Sequence, residues 1–320
     1  MQRLQTNELL PLFKCVECSD GALETHDDIL KCKHCNAFFG FCNKVPVMLA
    51  HDNALFPSSA YKTKDGGRVK QNPRHFLSYL KGLVPSKSIN LARDRMFAKL
   101  AERYDNKRLK ILVIGCGDQR AQLEKYFKTD KTAIVFCDID KAANADVFCD
   151  GHDLPFMDSV FDGIITTAVL EHVIRPNEVV SEMQRVLSPN GFVYSEVPFM
   201  QGVHEGAYDF FRLSLTAHRA IYNRFSEIES GMVAGPGTAL LWMLVDFFRA
   251  FSRHPRMSQI LGIAVQTLFF WVKYIDYLIQ KNPRAIYSAS CTYFFGVMRE
   301  DKISDQEIID RFGSTEFRHT

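Results

Sequence analysis

The sequence is short of net charge. Its 320 residues carry 39 Lys and Arg against 37 Asp and Glu, a formal balance of +2, so no whole-molecule field marks it as a nucleic-acid binder. It lacks an apolar leader: the opening MQRLQTNELLPLFKC holds no stretch of the length a signal peptide needs, and a reducing cytoplasm is the expected location. Long hydrophobic runs are missing too. The longest uncharged stretch in the apolar C-terminal half, Met257 to Val272, has 16 residues and includes Ser258, Gln259, Gln266 and Thr267. That falls short of the roughly 18 a membrane span requires, so no transmembrane helix is expected. What is present is 47% hydrophobic and 24% charged residues, a folded globular balance that excludes disordered, collagenous and disulfide-scaffold chains. The length suits one ordinary domain plus something smaller, or two domains.

Of nine cysteines, Cys42, Cys116, Cys137, Cys149 and Cys291 are scattered, while four form two C-x-x-C pairs, Cys15/Cys18 and Cys32/Cys35, with thirteen residues between them. Each pair can offer two thiolates to one tetrahedral ion from a tight turn, so the spacing predicts a Zn(Cys)4 site. The intervening SDGALETHDDILK carries a turn signal at Ser19-Asp20-Gly21 and segments suited to a small hairpin, the outline of a zinc ribbon. A closed four-sulfur site leaves no open position, so this Zn2+ is expected to be structural, with His26, His34 and Cys42 spare.

Residues 51–87, rich in Pro, Gly, Ser and Lys, read as a linker able to order over a ligand. A helical pattern then runs from a Ser88 N-cap through Ile89, Ala92, Met96, Phe97, Leu100 and Tyr104. After it, LKILVI (109–114) reads as a buried parallel strand that stops at Gly115-Cys116-Gly117; DQRAQLEKYFK has helix-forming composition; TAIVFCD reads as a second strand. Strand, glycine turn, helix, strand is half of a doubly wound nucleotide-binding sheet. Gly115 and Gly117 let backbone approach a ligand, and the second strand delivers Asp138 where an acid can hold ribose hydroxyls, so an adenosine-containing ligand is implied. Arg120 stands where a dinucleotide fingerprint would have its third glycine.

The downstream stretches Asp150-Gly151-His152-Asp153-Leu154-Pro155-Phe156, Asp158, Phe161-Asp162-Gly163-Ile164-Ile165 and Leu170-Glu171-His172 continue through EVVSEMQRVLSPNGF, FVYSEV and PFMQGVHEGAYDFFRLS. In these the sequence resembles the class I S-adenosylmethionine-dependent methyltransferases, small-molecule branch, over residues 109–226; YSASCTYFFGVM near 287–298 resembles that family's last, antiparallel strand. The resemblance implies an α/β fold, a Rossmann-like seven-stranded sheet with a helical insertion before the last strand. It implies S-adenosylmethionine as cofactor, with Gly115 and Gly117 along its methionine part, Asp138 on the ribose, and Asp150, with Gly151 and His152, at the adenine. Val113 and Gln119 depart from the pattern, where an acid and a third glycine are usual, so the amino-acid end of the cofactor is expected to be held differently. Asp140 competes with Asp138. The ribbon, with the following VPVML, resembles the short zinc-ribbon protein that partners tRNA and protein methyltransferases.

Methyl transfer needs the acceptor's lone pair held behind the methyl carbon and, for O or N acceptors, a base. The candidates are His204 first, then Glu205 and Tyr208, in a segment where Asp209 and Arg212 stand at i,i+3; Glu171 and His172 more naturally shape the pocket. A small-molecule or lipid-linked acceptor is favoured. RNA is the rival, disfavoured because no dense Lys/Arg stripe with interleaved aromatics is present, and a noncatalytic cofactor-binding module is the third reading. The apolar segments within 232–285 read as an insertion forming a lid or homodimer surface, or as interfacial helices in peripheral contact with the inner face of a membrane. The expected organisation is thus a ribbon (1–50), linker (51–87), methyltransferase domain (88–300, insertion 232–285) and a solvated polar tail (301–320).

Overall fold

The computed structural model describes residues 4–26, 29–61, 84–105, 107–127 and 131–313. In chain order its strands are β1 (Leu23–His26), β2 (Ile29–Cys32), β3 (Phe38–Phe39), β4 (Phe41–Cys42), β5 (Val45–Met48), β6 (Leu109–Ile114), β7 (Thr132–Asp138), β8 (Val147–Cys149), β9 (Phe161–Thr167), β10 (Leu187–Pro198), β11 (Phe225–Ala234) and β12 (Cys291–Met298). Continuous aliphatic runs such as LKILVI, buried at every position but Lys110, suit strands covered on both faces. They form the centre of a nine-stranded sheet ordered β11-β12-β10-β9-β6-β7-β8-β5-β4, in which β12 runs antiparallel between β10 and β11. Nine strands replace the expected seven because β5 pairs in parallel with β8, carrying β4 beyond it.

The pleat of β6 splits the core. Leu112 and Ile114 face one layer, containing Val179 and Met183 of the helix Pro176–Val186 and also Leu30, Cys32 and Phe39 of the cysteine-bearing segment. Ile111 and Val113 face the other, against Met96, Phe97 and Leu100 of the helix Arg93–Arg103. The three-stranded ribbon sheet β1-β2-β3 therefore shares a hydrophobic centre with the main sheet and has none of its own. Lys14 N donates to Pro155 O at 3.1 Å and Met157 N to Leu12 O at 2.8 Å, backbone bonds that fix the docking.

Three sequence expectations are corrected. Ser88 is not the cap of the following helix: that helix begins at Arg93, Asn90 Oδ1 accepts from Arg93 N at 2.7 Å, and Ser88 Oγ accepts from Trp242 Nε1 at 2.9 Å. The insertion starts later than 232, because β11 continues to Ala234 and the first inserted helix is Pro236–Arg249. The tail is not merely solvated. Its Asp305–Gly313 helix buries Ile308 beside the helix Leu215–Ile221. The linker residues 62–83 lie outside the described residues.

Candidate functional site

Strands β7 and β9 flank β6 on opposite sides, so the chain order reverses at β6, the position at which open α/β sheets place a ligand crevice beyond the carboxyl ends of their strands. The turn leaving β6 holds Gly115 at φ +67° and Gly117 at φ +44°. A Cβ on Gly115 would lie 2.2 Å from Val169 Cγ2, so glycine there serves conformation and close packing together. Asp138 ends β7 and closes this loop: Oδ2 accepts from Gly117 N at 2.9 Å and Oδ1 from Asp140 N at 2.8 Å. Burial raises its carboxyl above the ordinary aspartate value, opposed by those backbone donors. Asp140 instead accepts from Ala142 N at 2.9 Å in a local turn.

Asp150, after β8, is buried. Its Oδ1 meets His152 N at 3.0 Å and His152 Nδ1 at 2.6 Å, and Oδ2 accepts from Asn53 Nδ2 at 2.9 Å. Burial works against its ionisation, yet the His152 and Asn53 donors outweigh it and hold the group below the usual carboxylate range. Gly151 lies against Val179, where a Cβ would sit 3.4 Å from Cγ1. Asn53 was not singled out from sequence, since 97 positions separate it from Asp150. Farther along the same segment Tyr61 OH donates to Ile139 O, so the described start of the linker is laid along the carboxyl ends of β7 and β8.

The opposite wall comes from the loops after β9 and β10. Ala168 takes φ +58°, uncommon for a residue with a side chain, and leads into the turn Leu170–His172. Glu171 in that turn is 2% exposed and neither carboxylate oxygen has a hydrogen-bond partner among the described residues. Burial pushes it up to about 8. His172 Nδ1 is 2.7 Å from Tyr208 O, its Nε2 is 3.7 Å from Glu171 Oε1, and its ring lies 5.0 Å from that of His204. Burial lowers the His172 pKa.

His204 N donates to Asp209 Oδ2 at 2.8 Å, and Arg212 binds Asp209 in a fork while also donating to Gln201 O and Gly202 O, each at 2.9 Å. Although burial opposes it, Arg212 holds Asp209 well below the carboxylate range. The i,i+3 pairing expected from sequence is therefore the clamp of this loop. Of the sequence candidates, His204 joins the cluster, Tyr208 contributes its backbone carbonyl and is 39% exposed as a residue, and Glu205 is exposed.

Sequence reasoning also missed Glu196 on β10. It is buried at 2% exposure and paired with Arg93, whose Nε donates to Oε1 at 2.9 Å; Tyr194 OH donates to the same oxygen at 2.7 Å. No local motif links Arg93 to a residue 103 positions away.

The cysteine motif folds as its spacing suggests. The four sulfurs lie within 4.8 Å of one another, with Cys15–Cys35 at 3.6 Å and Cys18–Cys32 at 3.7 Å. Tetrahedral Zn–S bonds of about 2.3 Å place sulfurs roughly 3.8 Å apart, so the set fits a zinc ion. Backbone N–H groups of Glu17 and His34 point at Cys15 Sγ and Cys32 Sγ, and Ser19 and Asn36, each just after a second cysteine, both adopt φ +61°. A Cβ on Gly21 would meet Cys32 Sγ at 2.0 Å.

The inserted helices sit beside the His204 loop. Trp242 lies 6.1 Å from the His204 ring, and a Cβ on Gly202 would meet Asp246 Oδ2 at 2.1 Å. Contrary to the expectation from its longest uncharged run, the helical run Pro255–Ile279, 25 residues, is long and apolar enough by length and composition to cross a membrane. Two of its charges are turned into the protein. Lys273 Nζ donates to Ser86 O, and fully buried Asp276 accepts from Gly235 N, Gly237 N, Thr238 N and Thr238 Oγ1 at 2.6 to 3.0 Å. The outer faces of both helices leave Phe247, Leu268, Trp271 and Leu278 more than half exposed, as is Phe251 in the turn between them.

Residues 112–195 match the family model described as methyltransferase domain, which supports S-adenosylmethionine-dependent methyl transfer and spans Gly115, Gly117, Asp138 and Asp150. No curated protein matches the chain. Among solved structures it is similar to a candidate sarcosine dimethylglycine methyltransferase from Galdieria sulphuraria, at 12% identity and TM-score 0.42 over 70% of this chain and 97% of that one. It is similar also to a phosphoethanolamine N-methyltransferase of Haemonchus contortus in complex with S-adenosyl-L-methionine (14%, TM-score 0.40, 64% and 53% of the chains). A third is the 1,6-didemethyltoxoflavin-N1-methyltransferase of Burkholderia thailandensis (15%, TM-score 0.37, 65% and 79%). These structural likenesses are loose, and none identifies the acceptor.

Proposed function

We propose that this protein binds S-adenosylmethionine in the crevice between the β6, β7 and β9 loops and transfers its methyl group to a small or lipid-linked acceptor. The observation that carries the reading is the loop itself: two glycines with positive φ at the end of β6, tied to the acid that ends β7, at the point where strand order reverses. Unpartnered buried polar atoms at this edge fit a bound ligand. Gln119 Oε1, Thr167 Oγ1 and both Glu171 oxygens lack hydrogen-bond partners among the described residues. In this assignment Gly115, Gly117 and Gln119 hold the methionine part and Asp138 the ribose. Asp150, with Gly151 and His152, borders the adenine. His204, with Glu205 and Tyr208 on the same loop, faces the acceptor. Cys15, Cys18, Cys32 and Cys35 hold a structural Zn2+.

The lipid-linked form of the acceptor is favoured by the inserted helices. Residues 236–288 carry six Lys and Arg against two Asp, a charge of +4 where the whole chain has +2; with Lys273 and Asp276 turned inward, Arg249, Arg253, Arg256, Lys281 and Arg284 remain exposed in the segment that also exposes Phe247, Trp271 and Leu278. An apolar helix face rimmed by cations suits an anionic membrane surface, and its inner side already abuts His204 through Trp242. The test is transfer of radiolabelled methyl from S-adenosylmethionine into organic-soluble, aqueous small-molecule and RNA fractions of a cell extract. Label in either of the first two supports the reading; label confined to RNA overturns the acceptor, and cofactor binding with no label anywhere overturns turnover.

A further inference from the structure

We propose that Glu171, His172 and His204 form a second metal site, distinct from the cysteine cluster, that takes a first-row divalent cation through two imidazoles and one carboxylate. One ligand atom from each lies within 4.8 Å of the others. Side-chain adjustments of up to about 1.4 Å would bring them to the roughly 3.4 Å separations implied by metal–nitrogen and metal–oxygen bonds near 2.1 Å.

The protonation pattern of the histidines fits ligation. His172 Nδ1 is 2.7 Å from the Tyr208 carbonyl, which only an N–H can satisfy, so the proton sits on Nδ1 and Nε2 keeps its lone pair beside Glu171. His204 Nδ1 has Gly202 O and Asp209 Oδ2 at 3.3 Å as acceptors, with Arg212 Nη2 farther off at 3.5 Å, again leaving Nε2 its lone pair. Imidazoles oriented through Nδ1–H by a backbone carbonyl and a carboxylate are the usual outer shell of metal-bound histidine.

Glu171 supplies the independent observation. At 2% exposure, with both oxygens unpartnered, it is stranded in either protonation state. If ionised it has no ion pair with Arg212, which favours its charge only from a distance because its N–H groups are committed to Asp209 and the loop carbonyls. If protonated, its donor finds His172 Nε2 at 3.7 Å, too far for a hydrogen bond. A divalent ion between the three groups resolves both states. Two histidines and one carboxylate suit zinc or iron and leave at least one coordination position open. What fills that position rests on the proposed function: an oxygen or nitrogen of the methyl acceptor. His204 then acts as a ligand and not as a base.

The test counts metal in the full-length protein by equilibrium dialysis against Zn2+. Wild type should hold two equivalents. Glu171→Gln and His204→Gln should each hold one, retained by the ribbon, while Cys15→Ser with Cys32→Ser should also keep one, at the histidines. His204→Gln lies at the more exposed ligand and guards against a misfolded Glu171 variant. One equivalent in wild type, or two in both crevice variants, overturns the site. A His204→Gln protein that loses turnover but keeps two equivalents makes His204 a base and likewise overturns it. Cofactor affinity, measured separately by calorimetry, reports on the proposed function independently: two metals with no S-adenosylmethionine bound would sink that function and leave the site standing.

Discussion

Replacing Gly115 with alanine probes the crevice at its tightest point. At φ +67° an alanine pays about 1 kcal/mol for the left-handed conformation. Its Cβ would also lie 2.2 Å from Val169 Cγ2, where about 3.5 Å or more is needed, so Val169 and the Leu170–His172 turn behind it must retreat by more than 1 Å. Overpacking of that kind costs typically 1–3 kcal/mol, for about 2–4 kcal/mol in all. Gly117 is the internal control: φ is +44° but a Cβ would meet nothing within 4 Å, so Gly117→Ala should cost about 1 kcal/mol. Urea unfolding of both variants reads the difference, and the double variant Gly115→Ala with Val169→Ala should recover most of the steric part once the cavity cost of Val169→Ala alone is subtracted. Equal losses at the two glycines, or no recovery in the double variant, would refute the packing argument.

Arg93→Ala should destabilise the fold by about 3 kcal/mol or more in urea, since it leaves Glu196 buried with only Tyr194 and Asn90 as partners. His218, wholly buried between Ser195 and Thr292, is pushed down to about 3 by burial. The unfolded chain therefore takes up this proton near pH 6.5 while the folded one does not, and stability should fall by about 1.4 kcal/mol per pH unit as pH drops from about 6 towards 4; His218→Gln should unfold with a shallower acid slope in parallel titrations. Stripping metal from the ribbon with a chelator should lower the main thermal transition, and not merely melt a separate N-terminal unit, because Leu30 and Cys32 share a core with Leu112 and Ile114. Phe247→Glu together with Leu278→Glu should reduce co-sedimentation with phosphatidylserine vesicles at least tenfold without changing the melting temperature, as both side chains are more than half exposed.

The parts legible in sequence were those written in local pattern. LKILVI and TAIVFCD announced buried parallel strands through unbroken apolar runs, and the doubled C-x-x-C spacing announced a site whose sulfurs do converge. What stayed hidden depends on distant pairing. That β5 would join β8 could not be read from VPVM, whose four buried residues would suit a ribbon core equally well. The helix starts at Arg93 behind an Asn90 turn, with Oδ1 accepting from Ala92 N and Arg93 N, while Ser88 Oγ is taken by Trp242, 154 residues on. Glu171 read as a pocket-shaping acid, and nothing local reveals that its oxygens are left without partners. In the 25-residue helix the sequence shows Lys273 and Asp276 as breaks in hydrophobicity; the fold turns both inward and leaves an apolar exterior.

The central claim is that the glycine loop and Asp138 hold S-adenosylmethionine. Calorimetric titration of the purified chain should show one cofactor per protein, and Asp138→Asn, with its fold verified by unfolding, should weaken binding roughly 10- to 150-fold, the loss of a charged hydrogen bond worth about 1.5–3 kcal/mol. Absence of binding to the wild type, or unchanged affinity in the variant, would contradict it.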